Sequence, residues 1–286
     1  MPFLALIAVL AAAVTHSTWN LFAKKAAGSR HFVWLYSVGS LVLYIPVIAW
    51  VFWTQKPHFG ERECLALTGT SVLHLAYSLT LQAGYRASDL SLVYPIARGS
   101  GPLLSFAGAA ILLGEPPTLL SGLGLILIVV GILLVAGLTR EPHRAPKVGI
   151  FFGLLTGTFI AAYTVNDGWA VKTLALSPFI IDFTGNAARV AILTPFALRD
   201  REGVFREVRT YARAAAVVSV LGPLGYILVL FAMQIAPVSH VAPARELSTL
   251  VGTYFGSRLL REKAVPARLV GATCILVGVV SLAFAQ

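Results

Sequence analysis

The 286-residue sequence predicts an all-α integral membrane protein of ten transmembrane helices, arranged as two inverted five-helix repeats around a central cavity. Three observations carry that reading. Only 12% of residues are charged and 57% are hydrophobic, whereas a soluble domain carries about 25% charged residues to solvate its surface. Apolar runs of membrane-spanning length recur along the whole chain. The second half of the chain repeats the first.

A helix rises 1.5 Å per residue, so roughly 20 mostly apolar residues cross about 30 Å of hydrocarbon. That ruler marks spans at about 3–23, 32–54, 64–85, 90–113 and 118–138, then at 149–171, 178–198, 212–234, 238–260 and 265–284. The first span has no basic residues ahead of it and is followed by Lys24 and Lys25, which fits an uncleaved helix better than a signal peptide. The 85–90 and 234–238 connections leave almost no loop. The segment 139–147, with Pro142 and Pro146, is the joint. The expected units are a first repeat at 1–138, a linker at 139–148 and a second repeat at 149–286.

Sliding the chain on itself by 147 residues puts Arg98 on Arg245, Glu115 on Glu262, Gly124 on Gly271 and Gly131 on Gly278. Ten of 41 positions between 98 and 138 are identical without a gap, and Lys25 falls on Lys172. Apolar composition supplies chance Leu and Val matches, but not Arg, Glu and two glycines in one register.

A repeat with an odd number of spans must enter the membrane from opposite sides. The basic residues obey that requirement. Loops 1–2, 3–4, 7–8 and 9–10, with the joint, hold 16 Lys and Arg; the other loops hold three, namely Lys56, Arg62 and Lys172. The net charge of +10 is thus a topology signal and not a nucleic-acid-binding face. The basic-rich side is expected to be cytoplasmic, with both termini outside.

Ten spans in two inverted halves, each with a Gly114-Glu115 or Arg261-Glu262 turn before a glycine-spaced final helix (Gly124 and Gly131; Gly271 and Gly278), resemble the EamA-type drug/metabolite transporter superfamily. Within it the chain looks most like the aromatic amino acid exporters of the YddG type. The resemblance implies a multi-pass protein of the bacterial inner membrane that exports amino acids, aromatic or other neutral ones, or related metabolites by alternating access. Carriers of anionic metabolites such as sugar phosphates or nucleotide sugars, and drug exporters, are the alternatives. Many members of the family keep both termini in the cytoplasm, opposite to the charge count.

Polar groups inside a bilayer are costly, about 2.5–3.5 kcal/mol for a charge at mid-helix, so each is a candidate for function. His74, Tyr77 and Ser78 share one face of the third span at spacings of three and four. Tyr94 stands beside Pro95, and Ser239 lies between Pro237 and Pro243. These three prolines are expected to break the fourth and ninth spans, where weak points in corresponding segments mark binding sites. Trp19 and Tyr163 occupy the first helix of each half. Together these are the expected substrate-binding residues. Arg98 and Arg245 could hold a carboxylate or serve a structural role. Asp167 and Asp182 look close to helix ends, which leaves His74 and Glu246 as protonatable candidates. Glu115 is expected to sit on the N-terminal dipole of its own final helix.

Cys64 and Cys274 have no partner spacing for a metal or a disulfide, and no GxSxG, HExxH or paired intramembrane aspartate occurs. No enzyme, metal or cofactor is expected. The expected partners are a small-molecule substrate and the lipid bilayer, without nucleic acid, and the expected unit is a monomer.

Overall fold

The computed structural model describes residues 1–24, 26, 29–88, 90–136, 146–251 and 266–285. No strand occurs among them. The helices in chain order are α1 (Phe3–Lys24), α2 (Phe32–Gln55), α3 (Glu61–Ala87), α4 (Leu90–Leu112), α5 (Leu119–Ala136), α6 (Pro146–Lys172), α7 (Pro178–Arg199), α8 (Arg201–Ile235), α9 (Val238–Ala244) and α10 (Pro266–Phe284). Five of them (α1, α2, α3, α6 and α8) are long and apolar enough to cross a membrane, and α5 and α10 carry shorter apolar stretches. Large apolar side chains cover the outside: Ile111, Leu112, Leu119 and Leu269 are 63–84% exposed. Lipid solvates such a surface and water does not, so the chain is a multi-pass membrane protein. Trp50 and Trp53 are exposed near the end of α2, as an interfacial aromatic belt requires.

Helix pairing follows the internal repeat. α1 packs on α8 while α3 packs on α6, so the first helix of each half meets the third of the other. α2 meets α7 and α8, α3 meets α7, and α5 pairs with α10. The α5–α10 crossing fixes the sense of the symmetry. Gly124 lies against the Gly278 carbonyl and Gly131 against the Gly271 carbonyl, so one helix climbs as the other descends. Gly124 corresponds to Gly271 and Gly131 to Gly278, so each contact is the image of the other. Equivalent helices that pair antiparallel are related by an axis perpendicular to their length, which makes the two halves inverted copies. The fully buried Ile128 and Ile275, themselves repeat-related, fill the crossing.

The chain ends and loops sort into the two sides that the charges demand. At the basic-rich end, the Glu207 carboxylate accepts from the backbone N–H groups of Arg30 and His31, each at 2.9 Å, and from the Ser29 hydroxyl. His31 Nε2 meets Asp200 Oδ2 at 2.9 Å there. At the other end the Met1 amino group donates to the Ala283 carbonyl. Also at that end, Glu115 accepts from Lys172 Nζ at 2.7 Å and from the N–H groups of Val238 and Ser239, each at 2.8 Å. Glu115 thus caps α9 in the opposite repeat and not its own α5, contrary to the sequence reading. Gly114, at φ +66°, lets the chain leave α4 in the left-handed region and swings the neighbouring carboxylate across.

Three segments depart from the expected spans. α8 begins at Arg201, eleven residues before the expected 212, because Asp200 accepts from the Gly203 N–H and starts the helix early. α4 is not broken: it runs through Pro95 and Pro102. Each proline costs one rung of the ladder, but tight parallel packing on α6 holds the rest. That packing uses Gly149, Gly153 and Gly157, one helical turn apart; a Cβ at Gly153 would stand 2.8 Å from Ile96. The expected ninth span 238–260 is interrupted after Ala244 and resumes at 247–251; its remainder, like Arg261 and Glu262, lies outside the described residues.

Candidate functional site

The break in α9 places charge at the centre of the bundle. Pro237 is the N-cap of α9, and Pro243 lies in its last turn, where its ring removes a backbone donor. The chain then tightens to three-residue hydrogen bonds: Glu246 N–H to Pro243, Ser248 to Arg245 and Thr249 to Glu246, at 2.9–3.1 Å. Arg245 and Glu246 ride on this tightened segment. Glu246 is 1% exposed and takes the Arg98 guanidinium from α4 at 2.8 Å. Arg98 also donates to Ser248 Oγ at 3.3 Å, while Ser17 of α1 donates to the Ser248 carbonyl at 2.7 Å.

A second polar cluster adjoins the first through Tyr163. Its ring stacks on His74 at 4.0 Å and 24°, and its hydroxyl accepts from Arg245 at 3.4 Å. Tyr77 meets Tyr163 edge-on at 5.8 Å. Beneath them Asp167 is fully buried. Its Oδ2 meets His74 Nε2 at 3.1 Å and accepts from the Tyr226 hydroxyl, and its Oδ1 accepts from Asn166 at 3.0 Å. Both carboxylate oxygens are therefore satisfied, as a buried carboxylate demands. The Asp167–His74–Tyr226 arrangement can pass a proton along a hydrogen-bonded chain, and the stacked rings offer an apolar face.

Of the residues singled out in sequence, His74, Tyr77, Tyr163, Arg98 and Arg245 converge here. Ser78 spends its hydroxyl on the His74 carbonyl at 2.9 Å. Tyr94 is 39% exposed, with the Arg98 guanidinium 5.9 Å from its ring centre. Ser239 is buried at the other end of α9, bound to Glu115. Trp19 meets His16 edge-on at 5.6 Å and packs with Phe22 and Val218. Asp167 and Tyr226 are absent from the sequence-derived site. Asp167 stands four residues after Tyr163, on the same helical face, and that spacing was its readable signal.

Two hollows lie at the basic-rich end. One of about 320 Å³ is bordered by Arg30, Trp34, Phe196 and Arg199, remote from the His74 cluster.

The carboxylate clasp at Glu115 belongs to neither cluster. Burial alone would push its carboxyl up, but Lys172 and the N–H groups at the start of α9 outweigh it and hold the group below the usual carboxylate range.

The EamA-like transporter family matches the chain twice, over residues 3–137 and 147–284. No match was found among curated protein sequences. A crystal structure of a protein 11% identical in sequence superposes with a TM-score of 0.72 over 97% of this chain and 95% of that one. At that identity the likeness concerns the fold alone. With nearly the full length matched as two copies, the chain belongs to the EamA-like transporter family of membrane proteins.

Proposed function

We propose that the protein is an alternating-access carrier that exports amino acids, aromatic or other neutral ones, or related small metabolites across the bacterial inner membrane. In this reading ten spans surround a central polar hollow, with both termini outside. The observation that carries it is the joined pair of buried clusters, His74–Asp167–Tyr226 and Arg98–Glu246–Arg245, linked by Tyr163 where α9 breaks. Charges are retained inside a bilayer for substrate or ion pathways, and broken helices of inverted repeats offer backbone groups at mid-membrane. The stacked rings of His74 and Tyr163, with Tyr77 at their edge, suit an apolar side chain, while the charged groups suit a zwitterion's head.

Flux of labelled Phe, Met, Thr and Ser into proteoliposomes tests the reading. Protein-dependent flux of at least one is expected, falling about tenfold or more in His74→Ala and Tyr77→Ala at equal protein content. No flux of any amino acid rejects this substrate class, and full flux in both variants removes the site from His74 and Tyr77.

A further inference from the structure

The two repeat-related arginines carry an inference that rests on the carrier reading and narrows its substrate. Arg98 and Arg245 both face Glu246, Arg98 at 2.8 Å and Arg245 at 3.9 Å. Two guanidiniums thus share one carboxylate, which leaves one positive charge of this trio uncompensated in a low-dielectric interior. Among the described residues the other acids nearby are engaged elsewhere: Asp167 by His74, Tyr226 and Asn166, and Asp182 by Asn186 and the neighbouring charge of Arg189. The Nε atoms of both arginines are buried without a hydrogen-bond partner among the described residues. A guanidinium is a fork of donors built for planar oxyanions; the Arg98 Nε–H makes no hydrogen bond among the described residues, and the Arg245 Nε–H faces Glu246 only at 3.9 Å, beyond hydrogen-bond reach, so both arginines keep donor capacity. The site is not sealed, since the side chains of Arg98, His74 and Arg245 keep 21%, 19% and 11% of their surface. Tyr163 lies under Arg245, its ring centre 5.6 Å away, and Tyr94 under Arg98. These rings fix both forks and provide an apolar wall.

We propose that Arg98 and Arg245 form a monoanion subsite that takes the carboxylate of the transported molecule. Its flat pair of oxygens matches the two forks. The single uncompensated charge balances a carboxylate and not a phosphate dianion, while Glu246 repels any second negative charge. In the unloaded protein Glu246 keeps the two arginines from repelling each other.

Purified full-length protein in phosphatidylcholine nanodiscs is titrated with acetate, benzoate, 3-phenylpropanoate and the neutral 3-phenylpropanamide. Binding is read by tryptophan fluorescence and by the melting midpoint. At least one carboxylate is expected to bind, with 3-phenylpropanamide about tenfold or more weaker than 3-phenylpropanoate. Arg245→Lys, which keeps the charge and loses the fork, is expected to weaken carboxylate binding about tenfold at unchanged helical content. Glu246→Gln frees both forks and is expected to strengthen it severalfold. The subsite is overturned if no carboxylate binds, if amide and carboxylate bind equally, or if Arg245→Lys binds like the parent. Flux separates the two readings. Amino acids and their amides carried equally well refute the subsite and leave the carrier, whereas carboxylate binding without amino acid flux refutes the amino acid substrate class and leaves the subsite.

Discussion

Gly131→Ala tests whether the two halves are inverted copies held by their final helices. A Cβ at Gly131 would stand 2.6 Å from the Gly271 carbonyl oxygen, 2.6 Å from Ile275 Cγ1 and 2.9 Å from Ile275 N. Two of these atoms are backbone and cannot turn aside. Reaching ordinary contact at 3.4 Å needs α5 and α10 to open by about 0.8 Å, roughly a quarter of a carbon–carbon contact distance. The opening strips contacts from Ile128, Ile275 and Leu282, all fully buried. Overpacking of this kind costs about 1–3 kcal/mol, against about 0.5–1 kcal/mol gained from replacing a helical glycine. Gly122→Ala on the same helix removes that ambiguity, because nothing lies within 4 Å of its Cβ. The propensity gain is common to both variants, so their difference isolates the steric cost at about 1–3 kcal/mol. Unfolding by SDS titration in mixed micelles measures it. A Gly131→Ala protein as stable as Gly122→Ala would show that α5 and α10 do not cross at this register, and the inversion argument would fall.

Two further outcomes follow from the buried acids. Asp167→Asn keeps the shape and an acceptor for Tyr226 but removes the charge that faces His74. A hydrogen bond to a charged group contributes about 1.5–3 kcal/mol, so flux in proteoliposomes is expected to drop about tenfold to a hundredfold at unchanged gel-filtration profile; parental flux would show that the cluster is only structural. Glu115 is held below its ordinary value of 4.5, so its clasp stabilises the fold fully above that value and loses its effect as pH falls through the lowered one. The melting midpoint between pH 7 and pH 3 is expected to fall in the parent and to lose part of that slope in Glu115→Gln; identical slopes would show that the clasp is not charged.

The fold was legible because lipid leaves few solutions. Every backbone group must be satisfied within its own helix, so span lengths and loop charges could be read by counting, and the contacts at Glu207 and Glu115 join the loops that the charges had grouped. The site was less legible. His74, Tyr77 and Tyr163 announced themselves as polar groups in apolar runs. Asp167 signalled itself only through its four-residue spacing from Tyr163, since it stands five residues before the end of α6 and a position near a helix end says nothing by itself about which way the carboxylate faces. Tyr226 carried no signal apart from its partner. Prolines misled in the other direction: Pro95 sits in a continuous helix because packing on the Gly149–Gly153–Gly157 stripe outweighs one lost hydrogen bond. Pro243 ends a helix that the adjacent three-residue bonds can relieve.

The skeleton is symmetric and the chemistry is not. At the 147-residue offset Asp167 corresponds to Asn20, Tyr226 to Leu79, Tyr163 to His16 and Glu246 to Gly99, while of the charged groups in the two central clusters Arg98 and Arg245 keep their charge in both halves. Two identical inverted copies would place the arrangements open to either side at equal free energy, because exchanging the halves turns one into the other. Here the break is confined to α9, where Pro243 has only Ile96 as its counterpart, and α4 stays whole. In the alternating-access carrier proposed above, the two arrangements would therefore differ in free energy, and that difference would set which side the protein favours at rest. If the proposed carrier works by such an exchange, an anion held between the two arginines would keep its partners in both arrangements while the acids around it would not.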